Sequence, residues 1–207
     1  MPSSLLLRVS AVLGFASVVW CSPLTSQWRV GAEIGATRFW GASQDTEGNN
    51  TSIVPYRPTT FAVGLERQKG RYAVGVQFQY ADASLALQGP DLTISAEDAF
   101  TIISVSPEVA IRLATLGAGN QFRVHAGPLF EHWDLVDQGG RTRVGAQAAV
   151  SLDVPLGSHF QAVVLAGGAV SPSPYEEGEL DLGTGSPTYE LRTLWRRRFA
   201  IGLGYQL

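Results

Sequence analysis

Apolar residues recur at every second position along most of this chain. In Arg71–Ala81, Tyr72, Val74, Val76, Phe78 and Tyr80 alternate with Ala73, Gly75, Gln77 and Gln79. A period of two puts the two sets on opposite faces of a β-strand, because successive side chains point to opposite sides. Seven more segments follow the same template: Trp28–Trp40, Thr59–Arg67, Ala99–Leu113, Gln121–Trp133, Arg143–Val154, Phe160–Val170 and Leu191–Leu207. Phe160–Val170 is apolar on both parities, so its facing stays open. The connections alternate too. "QKG", "ATLGAGN" and "PLGS" are short, whereas Gly41–Pro58, Asp82–Asp98, Asp134–Thr142 and Ser171–Glu190 are mostly longer. Short turns at one end and longer loops at the other predict neighbouring strands that run up and down. The fold class is therefore all-β: a closed, eight-stranded, antiparallel up-and-down barrel.

The face opposite the apolar one decides the solvent. It carries Gly31, Gly35, Gly64, Gly75, Gly127, Gly145, Gly202 and Gly204, and small residues suit a narrow interior better than a solvated surface. The same parity carries Arg29, Glu33, Glu66, Glu108, Arg112, Arg123, Glu131, Arg143, Asp153, Arg196 and Arg198. Six bases against five acids can pair inside a lumen, where a lone charge is costly. The apolar face then points outward, into lipid, and the barrel is transmembrane. Aromatic spacing agrees. Trp28 and Trp40, Tyr72 and Tyr80, Phe122 and Phe130, and Trp195 and Tyr205 bracket four strands, each pair on one parity. Ten residues rise about 33 Å along a strand, or about 25 Å at a tilt near 40°, the height of the apolar band of a membrane barrel.

Composition adds to this reading in two places. Lysine is nearly absent, and 45% of the 207 residues are apolar, yet mean hydropathy is only +0.08. No long apolar run dominates, and after residue 22 none is long enough for a membrane helix. A net charge of −3 gives no argument for a nucleic-acid partner. One cysteine, Cys21, excludes an internal disulfide framework. Residues 1–22 read as a secretory signal, with Arg8 ahead of the apolar stretch Val9–Trp20. Cleavage after Cys21 and lipidation at Cys21 both remain open, with Trp20 an obstacle to the second. Residues 23–207 form the barrel domain.

The chain resembles the small outer-membrane β-barrel proteins of diderm bacteria, the class of the OmpA membrane domain and OmpX. The likeness covers Trp28–Leu207 and rests on strand pattern, loop asymmetry, the signal and the terminal strand "FAIGLGYQL". It implies a monomer in the outer membrane, with periplasmic termini, set among outer-membrane lipids and lipopolysaccharide. It also implies that Phe199, Ile201, Leu203, Tyr205 and Leu207 are read by the barrel-assembly machinery. The usual last residue there is aromatic; here it is Leu207.

Candidate chemistry is thin. His125 shares the inward parity with Glu108 and Glu131, while His132 and His159 stand near the two ends; no catalytic triad and no metal-ligand or cofactor motif emerges. Arg197 points outward below Trp195 and could reach lipopolysaccharide phosphates. The longer loops carry Asp91, Glu97, Asp98, Glu176, Glu177, Glu179 and Asp181, against the bases Arg57 and Arg141, and predict an acidic rim. Pairing Leu113 with Phe122, Ile111 with Val124 and Val109 with Ala126 sets Pro107 opposite Pro128. Proline cannot donate to a ladder, so a weakened seam is expected there. The function expected is structural, envelope-stabilising or adhesive through the loops, without catalysis. The alternatives are a lipid A-modifying enzyme, a narrow pore and a soluble periplasmic lipid-binding barrel.

Overall fold

The first long strand pairs with the last. In the computed structural model, which describes residues 27–45, 52–56, 58–88, 93–135, 139–176 and 189–207, the barrel closes between β1 (Gln27–Trp40) and β11 (Leu194–Gln206). Their register runs from Arg29 opposite Gln206 to Trp40 opposite Trp195. The Leu207 amide also donates to the Trp28 carbonyl (2.9 Å), so the chain end is tied down by the wall. The remaining wall strands are β4 (Thr59–Lys69), β5 (Tyr72–Gln88), β6 (Thr93–Thr115), β7 (Gln121–Leu135), β8 (Gly139–Pro155) and β9 (Phe160–Ser171). Each pairs antiparallel with its neighbours, and eight strands close the ring. The expected signal, residues 1–22, lies outside the described residues, as do Arg57, Asp91, Glu177, Glu179 and Asp181 and the side chains of Glu97 and Asp98.

Three short strands sit at the long-loop end. β2 (Ser43–Asp45) pairs with β10 (Tyr189–Leu191), and β3 (Ser52–Tyr56) adds to the upper part of β5. The expected strand Leu191–Leu207 is thus two pieces. The expected loop Asp82–Asp98 is mostly hairpin, because β5 and β6 keep pairing up to Gln88 opposite Thr93. A bulge between Ala83 and Leu85 shifts the register there, so the period-two pattern loses phase beyond Asp82.

At the other end, a second bulge between Arg112 and Ala114 corrects the expected pairing of Leu113 with Phe122. Ala114 stands opposite Phe122, while Ile111 opposite Val124 and Val109 opposite Ala126 hold. The ladder then breaks between the pairs Val109–Ala126 and Val105–Phe130, the stretch where Pro107 faces Pro128. Gly127 sits so close there that an added Cβ would lie 2.0 Å from the Pro107 carbonyl oxygen. Ser106 donates its hydroxyl to the Pro128 carbonyl at 2.7 Å, a side-chain tie across the gap.

The parities face as the alternation predicts. Phe61, Val63, Phe78, Ile103, Phe199, Ile201 and Leu203 are exposed on the outer wall, while Gln77, Ser104, Arg123, Glu131, Asp153, Arg196 and Arg198 are buried inside. β9, ambiguous in sequence, turns Val163, Leu165 and Ala169 inward.

Candidate functional site: the lumen and its mouth

The lower lumen is spanned by ion pairs. Arg29 on β1, Glu66 on β4, Arg123 on β7 and Asp153 on β8 form a closed ring of alternating charge across the barrel. Arg123 donates to Glu66 (2.8 Å) and to Asp153 (3.1 Å). Arg29 pairs with Glu66 (3.0 Å) and bonds Asp153 as well. Each charge therefore has two opposite partners, the condition under which a buried ion can be retained. One level up, Arg198 on β11 binds Glu33 on β1 and donates to Gln77 on β5 (3.1 Å). Gln79 donates to Gln77 (2.7 Å), and Gln147 to Glu108 (3.1 Å). Above these, Arg196 meets Glu131 at 2.7 Å.

Two of the eleven expected lumen charges do other work. Arg112 donates to the Gly70 carbonyl (3.2 Å) at the turn end, because the neighbouring bulge lies at the mouth, beyond reach of the ring. Arg143 lies above the charged tiers. Its guanidinium donates to the carbonyls of Ser173 (2.8 Å) and Tyr175 (3.3 Å) and pairs with Glu176 (3.7 Å). It staples the segment after β9 over the opposite mouth, and Arg141 bonds the Pro174 carbonyl beside it (3.1 Å).

His125 has the partners of a catalytic histidine without the room for one. Its Nδ1 lies 3.3 Å from Glu108, and its Nε2 lies 3.0 Å from the Ser151 hydroxyl, a residue the sequence pattern did not single out. Ser151 is 1% exposed, and its hydroxyl also contacts Asp153 at 2.8 Å. The hydroxyl has one hydrogen, so bonding to Asp153 withdraws it from His125. The cavities alongside measure about 50 and 30 Å³, space for one or two waters each and none for an acyl substrate. His132 and His159 lie far from this pair: His132 contacts Thr142 (3.3 Å), and His159 contacts the Gln206 carbonyl (3.1 Å).

Above the Arg196–Glu131 pair the lumen changes character. Phe39, Phe100, Ile102, Trp133, Leu135, Tyr175 and Leu194 fill it, joined by Ile53 and Val54 from β3. Trp133 is fully buried. It packs edge-on against Phe39 (5.8 Å) and Phe100 (6.1 Å), and Phe100 in turn against Tyr175 (6.2 Å). Such aromatic pairs add to area burial. β1 feeds this plug by turning inward after Trp40. Gly41 has φ +88°, and an added Cβ would meet the Thr193 carbonyl at 2.2 Å, so glycine is required. Ser43 then locks β2 to β3, accepting from the Ile53 amide (3.0 Å) and donating to its carbonyl (3.1 Å).

The outer wall inverts at the same height. On β7 the outward positions run Ala126, Pro128, Phe130 and then His132, Asp134; the inward ones run Arg123, His125, Gly127, Leu129, Glu131 and then Trp133, Leu135, so Leu129 is the one apolar side chain among the inward charges of this strand. On β5, outward Phe78 and Tyr80 give way to Asp82, and inward Gln77 and Gln79 to Ala81 and Ala83. β6 changes from inward Ser106 and Ser104 to Ile102 and Phe100. Aromatics mark both borders. Trp28, Tyr72 and Tyr205 stand exposed near the turn end, with Phe122 half-buried. Trp40, Tyr80, Phe130 and Trp195 stand exposed near the loop end, where Trp40 and Trp195 stack at 6.5 Å. Outside lies an apolar belt over a charged lumen; above it lies a polar outside over an apolar core.

No family model and no curated protein sequence matches the chain. Solved structures do. Neisserial surface protein A aligns over 89% of this chain and all of its own, with a TM-score of 0.57 at 8% identity. The outer membrane protein OprG of Pseudomonas aeruginosa aligns over 88% and 96%, at 0.58 and 9%. The N-terminal β-barrel domain of OprF from the same organism aligns over 88% and 100%, at 0.52 and 12%. At these identities the likeness carries the fold: this chain has the architecture of the small eight-stranded outer-membrane barrels.

Proposed function

We propose that this protein is an integral outer-membrane barrel that neither conducts nor catalyses, and that stabilises the envelope or meets partners through its wall and its loop-bearing mouth. The observation that carries the reading is the inversion of polarity along single strands. A strand surrounded by water throughout keeps one apolar face; a strand leaving lipid for water exchanges them. The plug around Trp133 and the ion pairs below it support a closed lumen. The small cavity beside His125 supports a structural role for that residue. The turn end, which holds both described termini, faces the periplasm in this reading, and Phe199, Ile201, Leu203, Tyr205 and Leu207 form the outward stripe offered to the assembly machinery.

Fractionation is the test. The protein should sediment with outer membrane and migrate faster on a gel unboiled than boiled. A purely periplasmic soluble fraction would overturn the reading. In planar bilayers it should give no steady conductance; a stable single-channel level would refute the closed lumen. Mass spectra of lipid A should be unchanged by expression, and a new acylation state would mean that the barrel is an enzyme.

A further inference from the structure

Two arginines stand directly opposite each other on the lipid-facing wall. Arg38 of β1 and Arg197 of β11 are register partners, both exposed on the outer parity. Opposed side chains in a sheet have Cβ atoms about 4.5–5.5 Å apart, and like charges so placed repel. Neither arginine makes an ion pair among the described residues, and Arg197 instead lies over the Trp40 ring at 4.8 Å. The rows above and below are Trp40 with Trp195 and Ala36 with Phe199, which bring no carboxylate. A charge pair that the described residues leave unneutralised asks for an anion from outside.

The height of the pair says which environment supplies it. Arg38 lies ten residues along β1 from Trp28, about 25 Å across the membrane at the usual strand rise and tilt. Trp28 marks the turn-end border, so the pair sits at the opposite border, level with lipid headgroups. Arg197 lies over the Trp40 ring, and a guanidinium held there still has N–H groups to donate to a phosphate.

The row continues as a track. Arg197 is opposite Gly168 on β9, Gly168 opposite Ala148 on β8, and Ala148 opposite Ala126 on β7. All three are exposed on the outer wall. Trp195, Val170 and Pro128 stand above the row and Phe199, Val150 and Val124 below it, with Ala146 and Ala166 the small residues at its edges. The track also descends. Arg38 stands eleven residues from the turn end of its strand, Arg197 nine, Gly168 eight, Ala148 seven and Ala126 five. It leaves the headgroup level at the arginines and slants into the apolar belt.

We infer that this face holds one phosphorylated lipid of the leaflet on the loop side, with its phosphate between Arg38 and Arg197 and an acyl chain laid over Gly168, Ala148 and Ala126. The inference rests on the outer-membrane reading above, in which that leaflet carries lipid A. A free phosphate would use the arginines and ignore the track, so the track commits the site to a lipid.

Native mass spectrometry of the folded barrel released from detergent tests it, with bisphosphorylated lipid A, its dephosphorylated form and inorganic phosphate as probes. Each variant is first checked for the gel shift of a folded barrel. A wild type that fails that check and fractionates as soluble sinks the membrane reading before any lipid is added. On a folded wild type, retention of lipid A but not of its dephosphorylated form supports the site. Arg38→Gln and Arg197→Gln should each weaken retention roughly tenfold. Ala148→Phe, which fills the track from the lipid side, should weaken lipid A several-fold. Arg67→Gln, over Trp28 at the other border, should change nothing. Wild-type retention by the double arginine variant, or equal retention of the dephosphorylated lipid, overturns the inference. So does competition by inorganic phosphate with no effect of Ala148→Phe, since the site would then hold a free anion.

Discussion

The lower and upper halves of the lumen are built from the same strands and the same parity, yet they hold opposite chemistry. β7 brings Arg123, His125 and Glu131 into the lower half, then Trp133 and Leu135 into the upper. β11 brings Arg198 and Arg196, then Leu194. β1 brings Arg29 and Glu33, then Phe39. The difference lies in what surrounds the wall. In the outer-membrane reading, the outside of the lower half is lipid, which is as apolar as any core, so moving an apolar side chain inward gains nothing. The interior can then be closed by ion pairs in which every charge has a partner. Above the belt the outside is water, and the ordinary rule returns: apolar residues inside, polar residues such as Asp82, His132 and Thr142 outside. In that reading one barrel stacks a lipid-facing half and a water-facing β-core end to end.

The sharpest way to break the comparison is to remove one charge from the lower ring. Asp153→Ala leaves Arg29 and Arg123 facing each other across a buried lumen, and should cost about 3–5 kcal/mol of stability. Urea unfolding in lipid vesicles, read by the unboiled gel band, measures it. Loss of the folded band at low urea is expected; an unchanged midpoint would mean that the ring is not a strut. In the upper half the matching lesion is Trp133→Ala. It removes the largest buried side chain and should cost about 3 kcal/mol, the lower end for such a deletion, because water from the mouth can reach the void. The two losses should add within experimental error if the two sites are not energetically coupled, and depart from additivity if a shared network or backbone shift couples the halves.

The outer wall offers a smaller test. Ile201→Arg places a charge near the middle of the apolar belt and should cost about 2–4 kcal/mol, whereas His132→Arg, above the border, should cost about 0–1 kcal/mol. Equal costs would mean that the border drawn at Phe130 is in the wrong place.

Which parts were legible in the sequence follows from the same physics. Alternation is a local property, so strand count, facing and the closing pair β1–β11 could be read from residues such as Phe199, Ile201 and Leu203 with no knowledge of the partners. The inward charges were legible for the same reason, but their pairing was not. Arg112 and Arg143 share the parity of the ring, and only their height along the strand sends them to the two mouths. The plug also leaves a mark in the sequence: Phe39 and Trp133 lie on the inward parity, two residues beyond Thr37 and Glu131, where a large aromatic replaces small or charged residues. Ser151 beside His125 carried no such signal, since contact across β7 and β8 depends on register. Bulges at Ala83 and Leu113 hid strand ends by resetting the phase.

A small effect is expected on the proline seam between β6 and β7, just below the border of the two halves. Between Val109–Ala126 and Val105–Phe130 the β6–β7 ladder has no backbone pairing, and Ser106 bridges the gap to the Pro128 carbonyl. Ser106 is fully buried, and its row runs just below Ser104 and Glu131, at the top of the charged tiers. Ser106→Ala deletes that tie and leaves the part-buried Pro128 carbonyl with one partner fewer, which should cost about 1 kcal/mol. The loss should be local. Amides of β6 and β7 flanking the prolines should exchange with deuterium faster, while those of β1 and β11, across the barrel, should keep their protection. Uniform acceleration around the ring would show that the seam is no weaker than the rest of the wall. Acceleration confined to Val105–Val109 and Ala126–Phe130 would make it the place where the wall of the charged half opens first.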